Sequence, residues 1–293
     1  KKSVKNSCVF GTAGAGGTKD LWYQWLYKQE SHGSTPLREA LSRVGRYFAG
    51  VTTGINSGTG ASPITVACQP NYAILTTDGY WNGAAGVKLD GTAIGNQDNV
   101  DSGYSKRSEA RYDGGGSIAG RSDTLSDVAM YYYKTDLRTD LADQVPVTTN
   151  DPAAHQHMTL FTVGMGLAGQ LTYDKNYQSG GSADFEKLKI DPASGGLNWP
   201  TPAADSETAL DDLWHAAVNG RGVFFSAKDP AELSSAIAET LSSVNARVGA
   251  GAAAATSNLQ PVAGDNFAFT AQYETVQWIG DIKARTIDLS TGT

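Results

Sequence analysis

Basic residues are scarce in this sequence: 23 Lys and Arg stand against 30 Asp and Glu, which gives a formal net charge of −7. Proteins that bind nucleic acid through its phosphates need clustered Lys and Arg. The acidic balance, with an isoelectric point near 5.1, therefore argues against nucleic acid as the main partner. Long apolar runs are also missing. No stretch approaches the roughly 18 apolar residues of a membrane-spanning helix, so we expect no membrane span.

Cysteine is nearly absent, since Cys8 and Cys68 are the only two in the chain. Two cysteines are too few to define a disulfide scaffold, and too few for a structural zinc site without His. They allow one disulfide, and two buried thiols are the alternative. No apolar block follows the opening Lys1-Lys2-Ser3-Val4-Lys5, so no signal peptide is visible. We expect that a signal was removed or that the chain is a piece of a longer protein.

Two enzyme signatures are missing as well. No Gly-x-Ser-x-Gly elbow is present, which argues against a serine hydrolase. No dinucleotide-binding unit is predicted, because that unit needs a Gly-x-Gly-x-x-Gly run that ends a strand and opens a helix. The sequence therefore gives no support for a nicotinamide or flavin site.

What the sequence does contain is an alternation of helical and strand patterns. Apolar residues at helical spacing predict helices over 20–30, 35–48, 123–133, 205–219 and 229–247. Short apolar runs predict strands over 71–77, 157–164 and 222–226. Helices that alternate with strands form a parallel sheet with helices on both faces. We therefore predict an α/β, doubly wound (Rossmann-like) fold.

The strand over 71–77 ends in Asp78, and Gly79 follows at once. Ligand sites of α/β proteins lie beyond the carboxyl ends of parallel strands, so Asp78 is a candidate site residue. The alternative is a plain Asp-Gly turn. Upstream, Thr35 precedes Pro36 and is predicted to cap the next helix. Its hydroxyl is also placed where it could coordinate a hard cation.

Residues 82–122 form a long segment of low hydrophobicity, which predicts a functional or mobile loop. Its acids (Asp90, Asp98, Asp101 and Asp113) do not match the spacing of a calcium-binding loop. Near the carboxyl terminus, 249–256 has the small residues of a linker. Alternating patterns over 267–273 and 278–289 then predict antiparallel strands, and 257–293 is predicted to be the start of a β domain.

Two stretches resemble parts of a known metal site. Gly33-Ser34-Thr35-Pro36-Leu37-Arg38-Glu39-Ala40-Leu41 and Ile74-Leu75-Thr76-Thr77-Asp78-Gly79 resemble the second and third parts of the metal-ion-dependent adhesion site of von Willebrand factor A domains. Four segments further resemble the PilC/PilY-type proteins of bacterial type IV pili. They are 77–82, 125–133, 211–220 and 278–281.

The resemblance implies a non-enzymatic cell-surface adhesion and assembly module of the pilus tip, or fimbrium. It implies an exported protein at the pilus tip, outer surface or periplasm of a Gram-negative bacterium. Its partners would be minor pilins or tip components, and a host receptor or extracellular matrix protein. It also implies a partial A domain over 1–248, followed by the first strands of a β-propeller or other β domain.

In the implied metal site, Thr35 and Asp78 would bind Mg²⁺ or Ca²⁺ with water and a ligand's acid. The family's first motif, Asp-x-Ser-x-Ser, is absent, so the site is incomplete and we do not expect this chain alone to bind the cation. Two alternatives stay open. One is a metal-dependent α/β hydrolase with Asp78 as ligand and His157 or His215 as base, and the other is an A-domain adhesin of another surface system.

The export that the resemblance implies favours a disulfide between Cys8 and Cys68, which would tie the amino-terminal loop to the sheet. Mass spectrometry of non-reduced, periplasmically expressed protein should find one peptide pair joined through these two residues. Two free thiols in that protein would contradict the prediction.

Overall fold

The structure is a computed structural model that describes residues 18–28, 33–99, 103–114, 120–227, 230–249, 267–274 and 279–286. The chain divides into two compact units, residues 1–34 and residues 35–293. In the first unit, helix α1 spans Thr18–Leu26 and carries Trp22 and Trp25. This confirms the predicted helix, with its start shifted toward the amino terminus.

The second unit contains the predicted alternation of helices and strands. Its elements are α2 (Leu37–Phe48), β1 (Asn71–Thr77), α3 (Leu125–Lys134), β2 (Met158–Met165), α4 (Ala183–Leu188), α5 (Thr208–Asn219), β3 (Arg221–Ala227) and α6 (Pro230–Gly249), followed by β4 (Phe267–Glu274) and β5 (Ile279–Thr286). Strands β1, β2 and β3 form a parallel sheet in the order β1-β2-β3. The mixed α/β class and the parallel sheet are confirmed, and the arrangement is compatible with part of a doubly wound fold.

The two faces of the sheet pack against different helices. Met158 and Leu160 of β2 join the larger core, which contains residues of α2, α3 and α5. Their neighbours Phe161 and Val163 point to the opposite face and pack with Ala236 of α6. Because successive side chains of a strand alternate between faces, the continuous apolar run of β2 is what a strand buried on both sides requires.

Helix α3 begins with a complete capping box. The Thr124 hydroxyl accepts a hydrogen bond from the Asp127 backbone N–H, and the Asp127 carboxylate accepts one from the Thr124 backbone N–H. Such a box satisfies two backbone donors that the helix itself leaves unpaired. The other Asp127 oxygen, Oδ1, accepts a hydrogen bond from the Gln97 backbone N–H at 2.6 Å. Asp127 thereby also fixes part of the irregular segment that precedes the helix.

The prediction that Thr35 caps α2 is wrong. Helix α2 begins at Leu37, and the capping position is occupied by Pro36, without a side-chain capping bond. Proline at this position sets the backbone entry to the helix by its fixed φ angle, so the Thr35 hydroxyl is not needed for it. Thr35 instead directs its backbone carbonyl and N–H toward the segment after β1.

Strands β4 and β5 pair as an antiparallel hairpin, which confirms the predicted strand type in this region. Trp278, residues 287–289 and most of the predicted linker lie outside the described residues. The boundary between an A-like domain and a β domain therefore stays a prediction. Cys68 is exposed, and Cys8 lies outside the described part of the chain, so the disulfide also stays a prediction. In the ranges that the structure describes, none of the helices is long and apolar enough to cross a membrane.

Close packing of α2 against α3 depends on Gly45. A Cβ atom at this position would overlap the ring of Tyr132, whose hydroxyl is held by a 2.6 Å hydrogen bond to the Val87 carbonyl. We expect Gly45→Ala to lower the free energy of unfolding by about 1–3 kcal/mol, because the ring cannot move without losing that bond. Urea unfolding checks this. Gly60→Ala is the control, since a Cβ there would meet no atom within 4 Å, and equal losses in both variants would contradict the prediction.

Candidate functional site

The structure brings the two predicted site residues to the same edge of the sheet. Asp78 is exposed directly after β1, at the carboxyl end of the strand. The Thr35 Oγ1 atom lies 3.8 Å from the position that a Gly79 Cβ would occupy. Within the described residues, the Thr35 hydroxyl makes no hydrogen bond. A free hydroxyl and an exposed carboxylate therefore lie on neighbouring segments at this edge.

Asn82 holds these two segments together. Its backbone N–H donates to the Thr35 carbonyl at 3.0 Å, and its Oδ1 accepts from the Thr35 N–H at 2.6 Å. Its Nδ2 donates to Asp205 Oδ1 at 2.6 Å, and the Asp205 N–H donates to the Trp81 carbonyl at 3.1 Å. The amide side chain thus joins the entry of α2, the loop after β1 and the segment before α5. Asp205 is engaged in this contact.

Trp81 fixes the loop after β1 by a contact with α5. Its Nε1 donates at 3.0 Å to Asp212 Oδ2, a fully buried carboxylate of α5. Asp212 also accepts hydrogen bonds from the Leu125 and Ser126 backbone N–H groups, at the amino end of α3. Burial raises the pKa of Asp212 to about 6, while the backbone donors act in the opposite direction. On the other side, the Arg38 guanidinium lies 4.2 Å from the centre of the Trp81 ring.

A cavity of about 260 Å³ lies beyond the ends of β2 and β3, lined in part by Tyr173, Trp214 and Phe224. Nearby, Gly164, Gly166 and Gly169 have the glycine spacing of a dinucleotide fingerprint at the end of a strand. No helix opens there, because the next one along the chain is α4. The Asp211 carboxylate accepts hydrogen bonds from the Gln170 and Leu171 N–H groups at 2.9 and 3.1 Å. Those donors are not free for a phosphate, and the carboxylate would repel one.

The histidines considered for catalysis are not at this edge. His157 precedes β2, and its carbonyl accepts a hydrogen bond from Asn71, the first residue of β1. Asp78 lies at the other end of that strand, about 20 Å away at about 3.3 Å per residue. His215 is buried in α5, where its ring stacks on Trp199 and burial lowers its pKa to about 3. The structure therefore does not place His157 beside Asp78, and the His215 ring packs against Trp199 within the core.

The site can bind through oxygen atoms and offers no obvious acid–base pair. Thr35 and Asp78 could supply two ligands to a hard cation such as Mg²⁺ or Ca²⁺, which takes six or more. In the part of the chain that is described, no group of three or more His, Cys, Asp and Glu side chains is placed to hold a metal ion. Sequence reasoning missed Asn82 and Asp212. A signal for Asp212 is present in the sequence, since Ala209, Leu213 and Ala216 flank it in the predicted helix.

Comparisons with known proteins place these observations in a family. The chain is 33% identical over 296 residues to the type IV pilus biogenesis factor PilY1 of Pseudomonas aeruginosa strain PAO1, covering 89% of this chain and 24% of that protein. The PilY1 proteins of strains PAK and UCBPP-PA14 are 33% and 32% identical, over 89% and 77% of this chain. This chain spans about a quarter of the length of the first two relatives. No protein-family model matches the chain, and no solved structure matches it significantly.

Replacing Asp212 by asparagine tests its role as the anchor of this region. An amide offers only one accepting atom to donors that now bind both carboxylate oxygens. We therefore expect Asp212→Asn to lower the free energy of unfolding at pH 7 by about 1–3 kcal/mol. Chemical denaturation measures this loss.

The pH dependence adds a second readout. Because the folded-state pKa of Asp212 is raised, the stability linked to its protonation is present at low pH and is lost as the pH rises through about 6. The variant should lack this part of the wild-type profile between about pH 4 and 6, so the difference in unfolding free energy between the two proteins narrows as pH rises through that range. Asp90→Asn, at an exposed carboxylate, is the matched control and should keep the wild-type profile. An unchanged profile in Asp212→Asn would contradict the assignment.

Proposed function

Since this chain is homologous over most of its length to the type IV pilus biogenesis factor PilY1, we propose that it is a non-enzymatic adhesion and assembly module of a type IV pilus. It acts outside the cytoplasm, at the pilus tip, on the outer surface or in the periplasm. Its partners are minor pilins or other tip components, and a host receptor or matrix protein. The homology supports the link to the pilus, and the exposed edge with Thr35 and Asp78 supports protein binding.

The region around the sheet is proposed to be part of a von Willebrand factor A domain. Three features support this: a parallel sheet, a threonine just before helix α2, and an aspartate just after the neighbouring strand. The proximity of Thr35 to Gly79 is the observation that carries the proposal, since residues far apart in sequence meet at the edge where α/β proteins bind ligands.

The cation proposed for this edge is Mg²⁺ or Ca²⁺. The Thr35 hydroxyl and Asp78 carboxylate are hard oxygen donors of the right type, and an acidic group of the partner could complete the shell. Two ligands do not hold such an ion by themselves, so the remaining ligands would come from the longer protein. The strand arrangement leaves β1 at one side of the described sheet, next to which further strands could stand.

The proposal predicts cation-dependent binding that is lost with Asp78. The full-length parent protein should retain minor pilins in a pull-down with Mg²⁺. Asp78→Ala and Thr35→Ala should each weaken the retention of minor pilins by about tenfold or more, and a chelator should do the same. A tenfold loss of affinity corresponds to only about 1.4 kcal/mol of binding free energy. Asp78 is exposed, so its replacement should leave thermal stability unchanged.

Asp90→Ala, which removes another exposed carboxylate, should bind like the wild type. Full retention by Asp78→Ala and Thr35→Ala would exclude the cation-dependent edge. No binding of the parent protein to any minor pilin or tip component would count against the pilus-assembly role itself.

A further inference from the structure

Two buried carboxylates face each other away from Thr35 and Asp78. Asp98 and Asp113 come from the irregular segment between β1 and α3, and they are 0% and 5% exposed. Their side chains are within hydrogen-bonding reach of each other. Asp98 Oδ2 accepts a 2.7 Å hydrogen bond from Asn219 Nδ2 at the end of α5, and Asp113 Oδ2 accepts one from the Arg121 N–H at 2.7 Å. One oxygen of each carboxylate is thus engaged.

The remaining oxygens have no hydrogen-bond donor. Asp98 Oδ1, Asp113 Oδ1, Asn219 Oδ1 and Asn99 Oδ1 are all buried without a hydrogen bond. The Asn219 side chain is fully buried, and its Nδ2 donates to both Asp98 and the Ser126 carbonyl, so the orientation of the amide is fixed and its Oδ1 is left without a donor. Buried polar atoms in native proteins are nearly always satisfied, and each exception needs an explanation.

Glycines make room for the Asn99 side chain. A Cβ at Gly114 would overlap its amide group, and a Cβ at Gly120 would overlap it from the other direction. The Ser105 hydroxyl donates a hydrogen bond to the Asp98 backbone carbonyl. The four unpartnered oxygens therefore come from two neighbouring residues, from the facing Asp113 and from the end of a helix. They are held by close packing.

Both like and opposite charges surround this pair. His215 Nε2 lies 3.6 Å from Asp98 Oδ2 and 3.2 Å from the Arg111 carbonyl oxygen. Two further carboxylates, Asp127 and Asp212, act on Asp98 as like charges. Cations also act here: Lys134 on Asp98, and Arg107 and Arg121 on Asp113. Arg221 donates to the Asn219 backbone carbonyl at 2.8 Å. Burial is the main cause that raises the pKa of Asp98 well above its usual range, and the negative charges of Asp127 and Asp113 raise it further.

We propose that Asp98, Asn99, Asp113 and Asn219 bind one Ca²⁺ ion. The ion takes six to eight oxygen ligands at 2.3–2.6 Å in irregular geometry, and mixes carboxylate with amide oxygens. Four side-chain oxygens, supplemented by backbone carbonyls or water, meet that need. Mg²⁺ fits less well because it keeps several waters and demands a near-ideal octahedron. The proposed site has two carboxylates and two amides. It is therefore not a group of three or more His, Cys, Asp and Glu side chains.

The ion would join the segment between β1 and α3 to the end of α5. It would neutralise two buried charges and satisfy four unpartnered oxygens at once. A single proton shared between Asp98 and Asp113 would neutralise one charge and leave both asparagine oxygens unpaired. The site is thus structural, and its occupancy does not depend on the cation proposed for Thr35 and Asp78.

Calcium titration of the purified chain tests the proposal. After treatment with EDTA, the protein at pH 7.5 should bind one equivalent of Ca²⁺ by isothermal titration calorimetry. A hundredfold excess over the dissociation constant should raise Tm by about 5 °C or more, and the same concentration of Mg²⁺ should raise it less. Asp98→Asn and Asp113→Asn should abolish the shift. Asn99→Ala, a smaller change at the rim, should weaken Ca²⁺ binding by about tenfold even if the Asp variants fold poorly.

Two control variants show whether the Tm shift comes from this site. Asp90→Asn removes a carboxylate from the same segment at an exposed position, and it should keep the full shift. Asp78→Ala should also keep it, so failure of the edge site and failure of this site are distinguishable. The proposal is overturned if EDTA-treated wild type shows neither binding heat nor a shift, or if Asp98→Asn and Asn99→Ala retain both. A Tm that falls between pH 5 and 8 only when Asp98 is present, without Ca²⁺ binding, would assign the pair to a shared proton instead.

Discussion

The arrangement around the sheet depends on one buried carboxylate, that of Asp212. A carboxylate in the middle of a buried helix is costly unless it is hydrogen-bonded. Asp212 meets this requirement with the first backbone N–H groups of α3 and the indole N–H of Trp81. The amino end of a helix also carries partial positive charge, which favours a carboxylate there. Helices α3 and α5 and the loop after β1 are held in one geometry as a result, and that loop carries Asp78.

The same chemistry recurs throughout the molecule. Asp127 closes the capping box of α3 and binds the segment before it, and Asp211 binds the loop after β2. Irregular backbone needs hydrogen-bond partners once it is buried, and short acidic side chains supply them here. A polar, glycine-rich segment can pack against the core for this reason. Asp98 and Asp113 stand apart because each keeps an unused oxygen, which is why they call for a ligand and the others do not.

The two proposed cation sites would serve different purposes. The edge with Thr35 and Asp78 is open, so an ion there could be shared with a partner. The interior group around Asp98 is closed, so an ion there could act only on the fold. This chain is homologous to about a quarter of a pilus biogenesis factor. An ion at the edge with Thr35 and Asp78 would act on contacts with other pilus or surface proteins. An ion at the interior group would act on the integrity of the domain that makes those contacts.

The sequence by itself determined the longer elements and their order, and it did not predict the short helix α4. The apolar periodicity of α2, α5 and β2 depends only on residues that are close together in the sequence. The position of Asp78 at the end of a strand follows from the same local pattern. The resemblance selected Thr35 and Asp78, and the structure places the Thr35 hydroxyl beside Gly79, the residue that follows Asp78. Tertiary structure decided the rest. Pro36, and not the predicted Thr35, occupies the capping position of α2. The described part of the segment over 82–122 is packed around the buried Asp98 and Asp113. Spacing along the chain gave no sign of that pair, because the Asp98 partner, Asn219, comes from α5 and that contact is made only when the helices pack around the sheet.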